Sequence, residues 1–575
     1  MTAPSPVDLA TTVVGFSVTC GGTALPPSIQ IVSIDVWTGV NRLPKARMVI
    51  SDGSAGEENF STSDSGLLVP GVTITIAFGY GGSETTVFSG IVYRQAIEAS
   101  NNGPPRLIVE ATDKAMVMTL ARGNAVFSDM TDSEVCEKLI GDAGLTPAVT
   151  ATDSVQTNVQ YYASPWDLVI MRAQANGMVV IAKAGTVTVA PPDTGRDPVL
   201  TLTFGSSILD FRTEMDASTQ FDGNAIQSIA WDPATQTLAT SSTAQASVSV
   251  PGNISSATLA GVFGVSEFVQ QTPGPLATGE LTQWASAELM MSHLSKIRGS
   301  VRFQGSALTE PGSIVTLAGL GDRFNGNGWV AGVHHRLAEG LWRTTLELGL
   351  SPNWFATVAP NVAAPGAAGL LPPVHGLQAA TVMQIDADPA GEFRVQVSLP
   401  LLKSTDGIWA RLGSFYASSG FGAFFYPEIG DEVIVGFLAG DPRFPVVLGA
   451  LYSKARPPAL TPEAANNTKS IRTRANLHLD FLEDSQTVQI VTPGNQTIVV
   501  NDTDKSITIK DMNGNSIVMG MTGIAIKSAS DITISATGSI TIGADSALSA
   551  SGTASAQLKS TGVVTVSGAT VALNP

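Results

Sequence analysis

The sequence predicts a mainly β protein that ends in an intertwined, triple-stranded β-helix, and two observations lead to this prediction. Short runs of alternating apolar and polar residues, separated by Gly, Asn and Pro turns, recur over much of the chain. This alternation is typical of half-buried strands. From about residue 470, pairs of apolar residues recur regularly within Gly-, Ser- and Thr-rich sequence. Only 14% of the residues are charged, which suits strands that are covered by partners or by copies of the chain.

The N-terminal part, residues 1–356, is predicted to form two tandem β-barrels with helical inserts. Its first strands are predicted in the segments "SIQIVSIDVW", "KARMVIS", "VTITIAFGY", "TTVFSGIVYRQAIEA" and "RLIVEATD". Strands return over 178–230 and again after residue 299. The Ser-, Thr- and Ala-rich segment 233–275 is predicted to be an irregular excursion, and we expect one helix over 278–299.

Two earlier helices have clear start signals in the sequence. Thr131 stands three residues before Glu134, which is the spacing of a capping box. Ser164 stands before Pro165, and proline is favoured at the first helical position. Glycines follow both segments and predict where the helices end.

A charge-free linker over 357–376, rich in Ala, Pro and Gly, leads to a compact β domain over 377–455. Its first strand is predicted in "EFRVQVSL", with Phe393, Val395, Val397 and Leu399 on one face. Its last two strands are predicted in "FFYPEIGDEVIVGFLAGDPRFPVVLGALY", residues 424–452. A second linker, 456–469, precedes the repeat.

The repeat over 470–575 begins with apolar pairs such as Val488/Ile490 and Ile498/Val500, and its spacing then settles at eight residues. A step of eight is too short for one chain to close a solenoid coil, where about 20 residues are usual. Three chains wound together would cover the apolar face of each strand. A single-chain β-solenoid and a low-complexity tail are the alternatives. The predicted trimer core comprises Ile524, Ile526, Ile532, Ile534, Ile540, Ile542, Leu548, Leu558, Val564 and Val566.

No catalytic or metal-binding constellation is found, so we expect neither enzymatic activity nor a cofactor. His334 and His335 are adjacent, but neighbouring residues on a strand point to opposite faces and cannot chelate one metal ion. Asp431 and Glu432 follow Gly430 and are predicted to be turn carboxylates rather than an acid/base pair. The segments "DADPAGE" and "DMNGNS" lack the ligand spacing of a calcium loop and are predicted to be turns.

The net charge of −17 argues against a nucleic-acid or anionic-membrane partner. Cys20 and Cys136 are the only cysteines and give no disulfide framework, which fits a reducing compartment. The N-terminus lacks the basic and apolar regions of a signal peptide, and no apolar run is long enough to span a membrane.

Residues 391–453, with "GEFRVQVSLP", "GIWARL", "GDEV" and "GDPRFPVVLGALYS", resemble the OB-fold signature of VgrG spike proteins of type VI secretion systems and related contractile injection systems. "GSVRFQGSALTEPGSIVTLAGLGDRFNGNGWVAGVHHRL" and "VQYYASPWDLVIMRAQANGMVVI" resemble parts of the phage-hub-like N-terminal region of that family. The overall form is most similar to spikes of extracellular, phage-tail-like particles. The signature residues are Gly430, Asp431, Glu432, Val433, Gly440, Asp441, Pro442, Pro445 and Gly449.

The resemblance implies a homotrimeric hub and spike. Its base would adapt to a hexameric inner tube and to baseplate proteins, its OB domain would form a collar, and a PAAR-type tip protein would cap its β-helix. The membrane would be met only mechanically, and assembly would begin in the bacterial cytoplasm before the particle is released or injected. The expected tip interface consists of Val571, Ala572, Leu573, Asn574 and Pro575.

The chain departs from two patterns of the family. Only a short linker, "SKARPPALTPEAANNTKSI", stands where the phage counterpart carries a lysozyme domain, and the repeat is not followed by an effector sequence. Two other functions stay open at this point: a spike with an envelope-degrading activity, and a receptor-binding tail fibre or adhesin.

Overall fold

The computed structural model describes residues 3–9 and 13–573, and the chain divides into two compact units, 1–374 and 375–575. The strands of the first unit are β1 (Val14–Cys20), β2 (Thr23–Ala24), β3 (Gln30–Gly39), β4 (Lys45–Ser51), β5 (Thr73–Tyr80), β6 (Ser83–Ser100), β7 (Gly103–Thr112), β8 (Gly123–Thr131), β9 (Thr146–Val149), β10 (Val155–Ala163), β11 (Val179–Lys183), β12 (Thr186–Ala190), β13 (Leu200–Thr203), β14 (Ile208–Met215), β15 (Ile226–Asp232), β16 (Thr237–Thr240), β17 (Phe268–Thr272), β18 (Ile297–Gln304), β19 (Ile314–Ala318), β20 (Gly326–Ala338) and β21 (Leu341–Leu348). Its helices are α1 (Pro6–Leu9), α2 (Val117–Leu120), α3 (Asp132–Asp142), α4 (Pro165–Ala175), α5 (Ser256–Phe263), α6 (Thr278–Leu294) and α7 (Phe355–Val358).

The two predicted barrels of the first unit share one continuous 13-stranded sheet. Its main path runs β14-β18-β21-β20-β3-β4-β7-β6-β5-β1-β2, with β13 and β19 branching from β20. The halves meet where β20 pairs with β3, His334 standing opposite Trp37. Each half keeps its own apolar core, one built around Phe78 and Ile34 and the other around Phe303 and Leu346. The prediction of a mainly β fold is thereby confirmed.

The helical insert follows its sequence signals closely. The Thr131 hydroxyl accepts from the Glu134 amide, and the Glu134 carboxylate accepts from the Thr131 amide. The predicted capping box therefore begins α3. Ser164 caps α4, with Pro165 in its first turn. Both helices pack with β11 and β12 around a core that includes Val135, Ile140 and Val169.

Two predictions in the first unit are wrong. The segment 233–275 is not irregular throughout, because β16 and β17 flank β15 in a three-stranded sheet and α5 lies between them. The predicted helix over 278–299 ends at Leu294, since Ile297 begins β18 and pairs with Met215 of β14. Strand pairing with a distant segment overrides local helical preference there.

The second unit begins with a five-stranded barrel. Its strands are β22 (Gln378–Gln384), β23 (Val395–Ser398), β24 (Ile408–Leu412), β25 (Glu432–Phe437) and β26 (Pro445–Ala450), closed in the order β22-β23-β24-β26-β25. Val395 and Val397 lie in its core, as predicted. The prediction for Phe393 is wrong: it precedes β23 at a φ of 59° and is 81% exposed. The first barrel strand is β22 rather than "EFRVQVSL".

The C-terminal part of the second unit is a seven-stranded antiparallel meander. Its strands are β27 (Thr468–Arg472), β28 (His478–Leu482), β29 (Thr487–Val491), β30 (Thr497–Asn501), β31 (Ser506–Lys510), β32 (Ser516–Gly520) and β33 (Gly523–Lys527). Each strand pairs with the next along the chain. The stretch 528–573 has no strand within the single chain.

Candidate functional site

The meander presents one apolar face, which we call the apolar sheet face. It consists of Leu479, Phe481, Val488, Ile490, Ile498, Val500, Ile507, Ile509, Ile517, Met519, Ile524 and Ile526. Strand register brings these residues into two straight columns. Ile490 lies opposite Ile498, Ile498 opposite Ile509, and Ile509 opposite Ile517. The sequence pairs that predicted the repeat are therefore in register across the sheet.

The apolar sheet face is not covered by its own chain. Ten of its twelve side chains are between 37% and 71% exposed, and Ile524 and Ile526 are the most exposed. Monomeric soluble proteins rarely expose a contiguous apolar patch of this extent, and a larger patch marks an interaction site. Each of the six strands β28 to β33 contributes two apolar residues of this kind, so the patch lengthens with every added strand.

The opposite face of the same sheet is mixed, with Thr, Gln, Asn and Ser among Val. Near its start Asp480 is buried and accepts from Ser470 at 2.6 Å and from Gln489 at 2.9 Å. His478 Nδ1 lies 2.7 Å from the same carboxyl group. Burial alone would raise the pKa of Asp480, but these hydrogen bonds and the nearby imidazole lower it overall. The polar cluster fixes the first hairpin of the sheet.

The predicted core residues beyond the meander lie in the segment without strands. Ile532, Ile540 and Leu548 are each at least half exposed there. Their place in a trimer core remains a prediction, because in an intertwined fold their hydrogen-bond partners would belong to other chains. In the predicted tip interface, Val571 is 49% and Leu573 is 87% exposed, and Ala572 is exposed too. Asn574 and Pro575 lie outside the described residues.

The OB-fold signature residues form turns and barrel strands rather than a reactive site. Asp431 accepts from the Arg456 guanidinium at 2.6 Å and from the Glu428 amide at 2.9 Å. Gly430 adopts a φ of 86°, which favours glycine. Glu432 begins β25. Asp431 therefore lies next to the turn before β25, whereas Glu432 lies in the strand itself.

The remaining signature residues belong to the hairpin between β25 and β26. Val433 is fully buried in the barrel core. Asp441 receives the Arg443 guanidinium at 2.6 Å, and Pro442 follows it in the turn. Pro445 begins β26. The list is completed by Gly440 at a φ of 74° and by Gly449 opposite Ile434.

The two adjacent histidines separate onto opposite faces of β20, as predicted. His334 stacks on Trp37 and lies 2.8 Å from Asp35, whereas His335 is buried against Thr344. Burial lowers the pKa of His335 to about 3 and raises the pKa of the Cys20 thiol to about 11. Among the described residues, no group of three or more His, Cys, Asp or Glu side chains is placed to hold a metal ion.

Two buried carboxyl groups of the first unit, each in a cluster of hydrogen bonds, could not be predicted from the sequence. Asp132 at the start of α3 receives both nitrogens of a bidentate Arg172 at 2.7 Å, and Asn176 and Asn158 donate to it as well. Glu288 of α6 is buried and accepts from Trp354 at 2.7 Å. Arg172 lies 40 residues from Asp132 along the chain, and Trp354 lies 66 residues from Glu288. No local motif could therefore reveal these contacts.

Comparison with family models matches a part of each unit. Residues 10–339 match the family described as the Alg8 N-terminal domain, which is more than half of the chain. The chain belongs to the Alg8 N-terminal domain family. Residues 378–452 match the type VI secretion system/phage-baseplate injector OB domain, which coincides with the five-stranded barrel.

Curated relatives of this Alg8-type chain include type VI secretion system spike proteins of Pseudomonas aeruginosa. VgrG4b is 38% identical over 109 residues, which are 17% of this chain and 13% of the relative. VgrG5 is 35% identical over 126 residues, 19% of this chain and 16% of the relative. The chain thus matches only a small part of the length of these relatives. The predicted resemblance to VgrG-like spike proteins is confirmed.

Two solved structures with partial similarity to the chain are a tail protein and a type VI secretion component. A tail protein from Neisseria meningitidis has a TM-score of 0.44 at 15% identity, covering 60% of this chain and 98% of its own. An Escherichia coli type VI secretion component is described as similar to T4 bacteriophage tail proteins gp27 and gp5. It has a TM-score of 0.38 at 14% identity, and the match covers 76% of this chain and 99% of that structure's chain. None of the helices in the described residues is long and apolar enough to cross a membrane.

Proposed function

We propose that the chain is the homotrimeric hub and spike of a contractile, phage-tail-like injection machine. The observation that carries the proposal is the apolar sheet face, whose aligned columns are left open by their own chain. Three copies that turn these faces toward a common axis would bury them, and a closed trimer leaves no copy with an uncovered face. The family matches supply the context of a spike or baseplate.

The strand pattern suggests how such a spike is built. Up to β33 each strand pairs with its own chain, and beyond Lys527 the apolar residues continue at steps of eight without pairing in the single chain. We infer that pairing there passes to the neighbouring copies, which winds the three chains together. A chain in that arrangement cannot leave without breaking contacts with both neighbours, so unfolding is slow. That property suits a part that transmits axial force.

The two-core sheet of the first unit would serve as the base in this proposal. Two similar halves in each of three copies give six similar faces, which can meet a hexameric inner tube and the surrounding baseplate proteins. The OB barrel would form the collar. A PAAR-type tip protein would cap the C-terminal end, and the membrane would be met only by mechanical force. Assembly would take place in the bacterial cytoplasm, and the role requires no catalysis.

The position of the protein in an intact particle tests this role. A small tag inserted at the exposed turn around Gly391 is labelled with gold and viewed by electron microscopy. We expect a single label cluster on the particle axis at the baseplate end. Labels at the particle periphery would identify a receptor-binding fibre and overturn the proposal.

A further inference from the structure

The OB barrel has an unusual distribution of apolar side chains. Its buried core contains only alanine and valine: Ala380, Val382, Val395, Val397, Ala410, Val433, Val435 and Val447. Larger apolar side chains such as Leu399 and Phe437 are only partly buried against this core, and others are exposed. Six exposed large apolar side chains stand in the segment 413–431 between β24 and β25, which we call the aromatic loop. Its exposed aromatic residues are Phe415 at 88%, Tyr416 at 55%, Phe421 at 62%, Phe424 at 84% and Phe425 at 62%.

The aromatic loop is held in a defined conformation. A small hairpin pairs Ala417 with Gly422, and the Ala423 amide donates to the Tyr416 carbonyl at 2.8 Å. Tyr426 packs against the barrel core and donates its hydroxyl to the Phe393 carbonyl at 2.9 Å. The aromatic side chains are therefore presented on an ordered backbone, and preorganised aromatic residues lose little entropy on binding.

The chemistry of the aromatic loop favours a protein partner over a lipid surface. The segment 413–431 contains Glu428 and Asp431 but no Lys or Arg. Interfacial membrane segments pair their aromatic residues with basic ones that bind anionic headgroups. Five aromatic side chains of this exposure would bury roughly 500–900 Å² per copy, comparable to about 800 Å² per partner in a stable interface.

The position of the aromatic loop indicates which protein that partner is. Glu428 near its end accepts from Arg474 at 2.8 Å, and Arg474 lies in the turn between β27 and β28 at the start of the meander. Copies that join through the apolar sheet face would therefore bring their aromatic loops close to one another. We propose that the aromatic loop docks on the OB barrel of the neighbouring copy, so that the collar is an apolar trimer interface of its own.

This inference rests on the proposed trimer, and the experiment separates the two. In the full chain Phe424 is replaced by the photo-cross-linking residue p-benzoylphenylalanine, and Phe263 of α5, which is 68% exposed, is replaced in a control chain. After irradiation, a denaturing gel shows whether the products have the mass of one chain or of two chains joined by a cross-link. Peptide mass spectrometry then locates the cross-link.

We expect the Phe424 position to give two-chain products joined to residues 377–452, and the Phe263 position to give none at that site. A trimer in which Phe424 links only to its own chain, or to added lipid vesicles, would overturn the docking while leaving the proposed function standing. A chain that is monomeric at every concentration would overturn both. As a second readout, F415S/F424S should speed trimer dissociation about tenfold or more, while F263S leaves it unchanged.

Discussion

Ile498 and Ile509 lie directly opposite each other on β30 and β31, and both side chains are more than two-fifths exposed. A single sheet therefore aligns apolar side chains across its strands without covering them. The alignment creates an apolar stripe that needs another surface. Burial of such side chains is the largest favourable contribution to association in proteins.

Replacing Ile509 by Asn should prevent trimer formation. Burial of an isoleucine side chain contributes about 1.5–3 kcal/mol, and the change is repeated in every copy. Thr508→Asn is the matched control, because Thr508 is its neighbour on the opposite face of β31. Light scattering after gel filtration should show a trimer for T508N and smaller species for I509N. Trimers of equal stability from both variants would contradict the role of the apolar sheet face.

The Asp132–Arg172 pair should make the first unit sensitive to acid. Burial by itself would raise the pKa of Asp132, but Arg172 and the amides of Asn176 and Asn158 lower it overall. The folded state then holds fewer protons than the unfolded state, so this stability is present above the carboxyl's ordinary pKa, about 4, and is lost as pH falls. The melting temperature of the first unit should fall between pH 7 and pH 3, and the Arg172→Met substitution should abolish this fall.

The same pair predicts the size of a mutational effect. Removal of one partner of a buried pair typically costs about 3–5 kcal/mol, so R172M should also lower the melting temperature of the first unit at pH 7. Lys138→Met breaks the Lys138–Asp142 pair, in which both side chains are more than half exposed. Its effect should be small. An equal fall in melting temperature in both variants would show that burial of the Asp132–Arg172 pair is unimportant.

Glu288 should give the opposite pH dependence. Burial raises the pKa of this carboxyl group, and the Trp354 bond only partly offsets the rise. A raised folded pKa gives stability that is fully present below the unfolded pKa and is lost as pH rises through the folded value. Glu288→Gln keeps an acceptor for Trp354 without a charge. Its melting temperature should exceed that of the unmodified chain at pH 8 and approach it near pH 4; a larger gain at pH 4 would be inconsistent with this assignment.

Gly430 should be required by the turn that begins β25. Its φ of 86° lies in the left-handed region, and an alanine there costs about 1–2 kcal/mol. A Cβ at this position would also meet the Arg456 guanidinium. Gly449→Ala is the control, because a Cβ there meets no atom within 4 Å. G430A should make the OB barrel more sensitive to protease, whereas G449A should leave it resistant.

Removal of residues 564–575 should abolish binding of a PAAR-type tip protein and leave the trimer intact. The segment includes Val564, Val566, Val571 and Leu573, all of which are exposed in the single chain. The meander ends at Lys527 and does not depend on them. A pull-down with the tip protein should fail for the truncated chain while light scattering still reports a trimer. Retained binding would place the tip elsewhere.

The sequence predicted those features that depend on local signals or on strict periodicity. The helix caps at Thr131 and Ser164 and the columns of the repeat are of this kind, because each follows from spacing along the chain. The pairing of β20 with β3 joins segments about 300 residues apart, and no local pattern could reveal it. The same holds for Ile297, whose partner in β14 ended the helix earlier than expected.

The sequence predicted which residues belong to the candidate site, but it predicted only some of the residues that they contact. The alternation with Val395 and Val397 predicts that Phe393 shares their strand face, yet Phe393 precedes β23 with a positive φ and is exposed. Periodicity identifies which residues share a face of a strand, and the strand's true start depends on the turn before it. Only the folded structure shows that the side chains of the aromatic loop are exposed.

The mass of the purified full chain in solution tests the central claim most directly. Light scattering at decreasing concentrations should give three times the chain mass of 59.4 kDa, without dissociation over the range, because wound chains separate slowly. A mass of one chain, or a trimer that dissociates readily on dilution, would contradict the account of three copies that cover one another's apolar sheet faces.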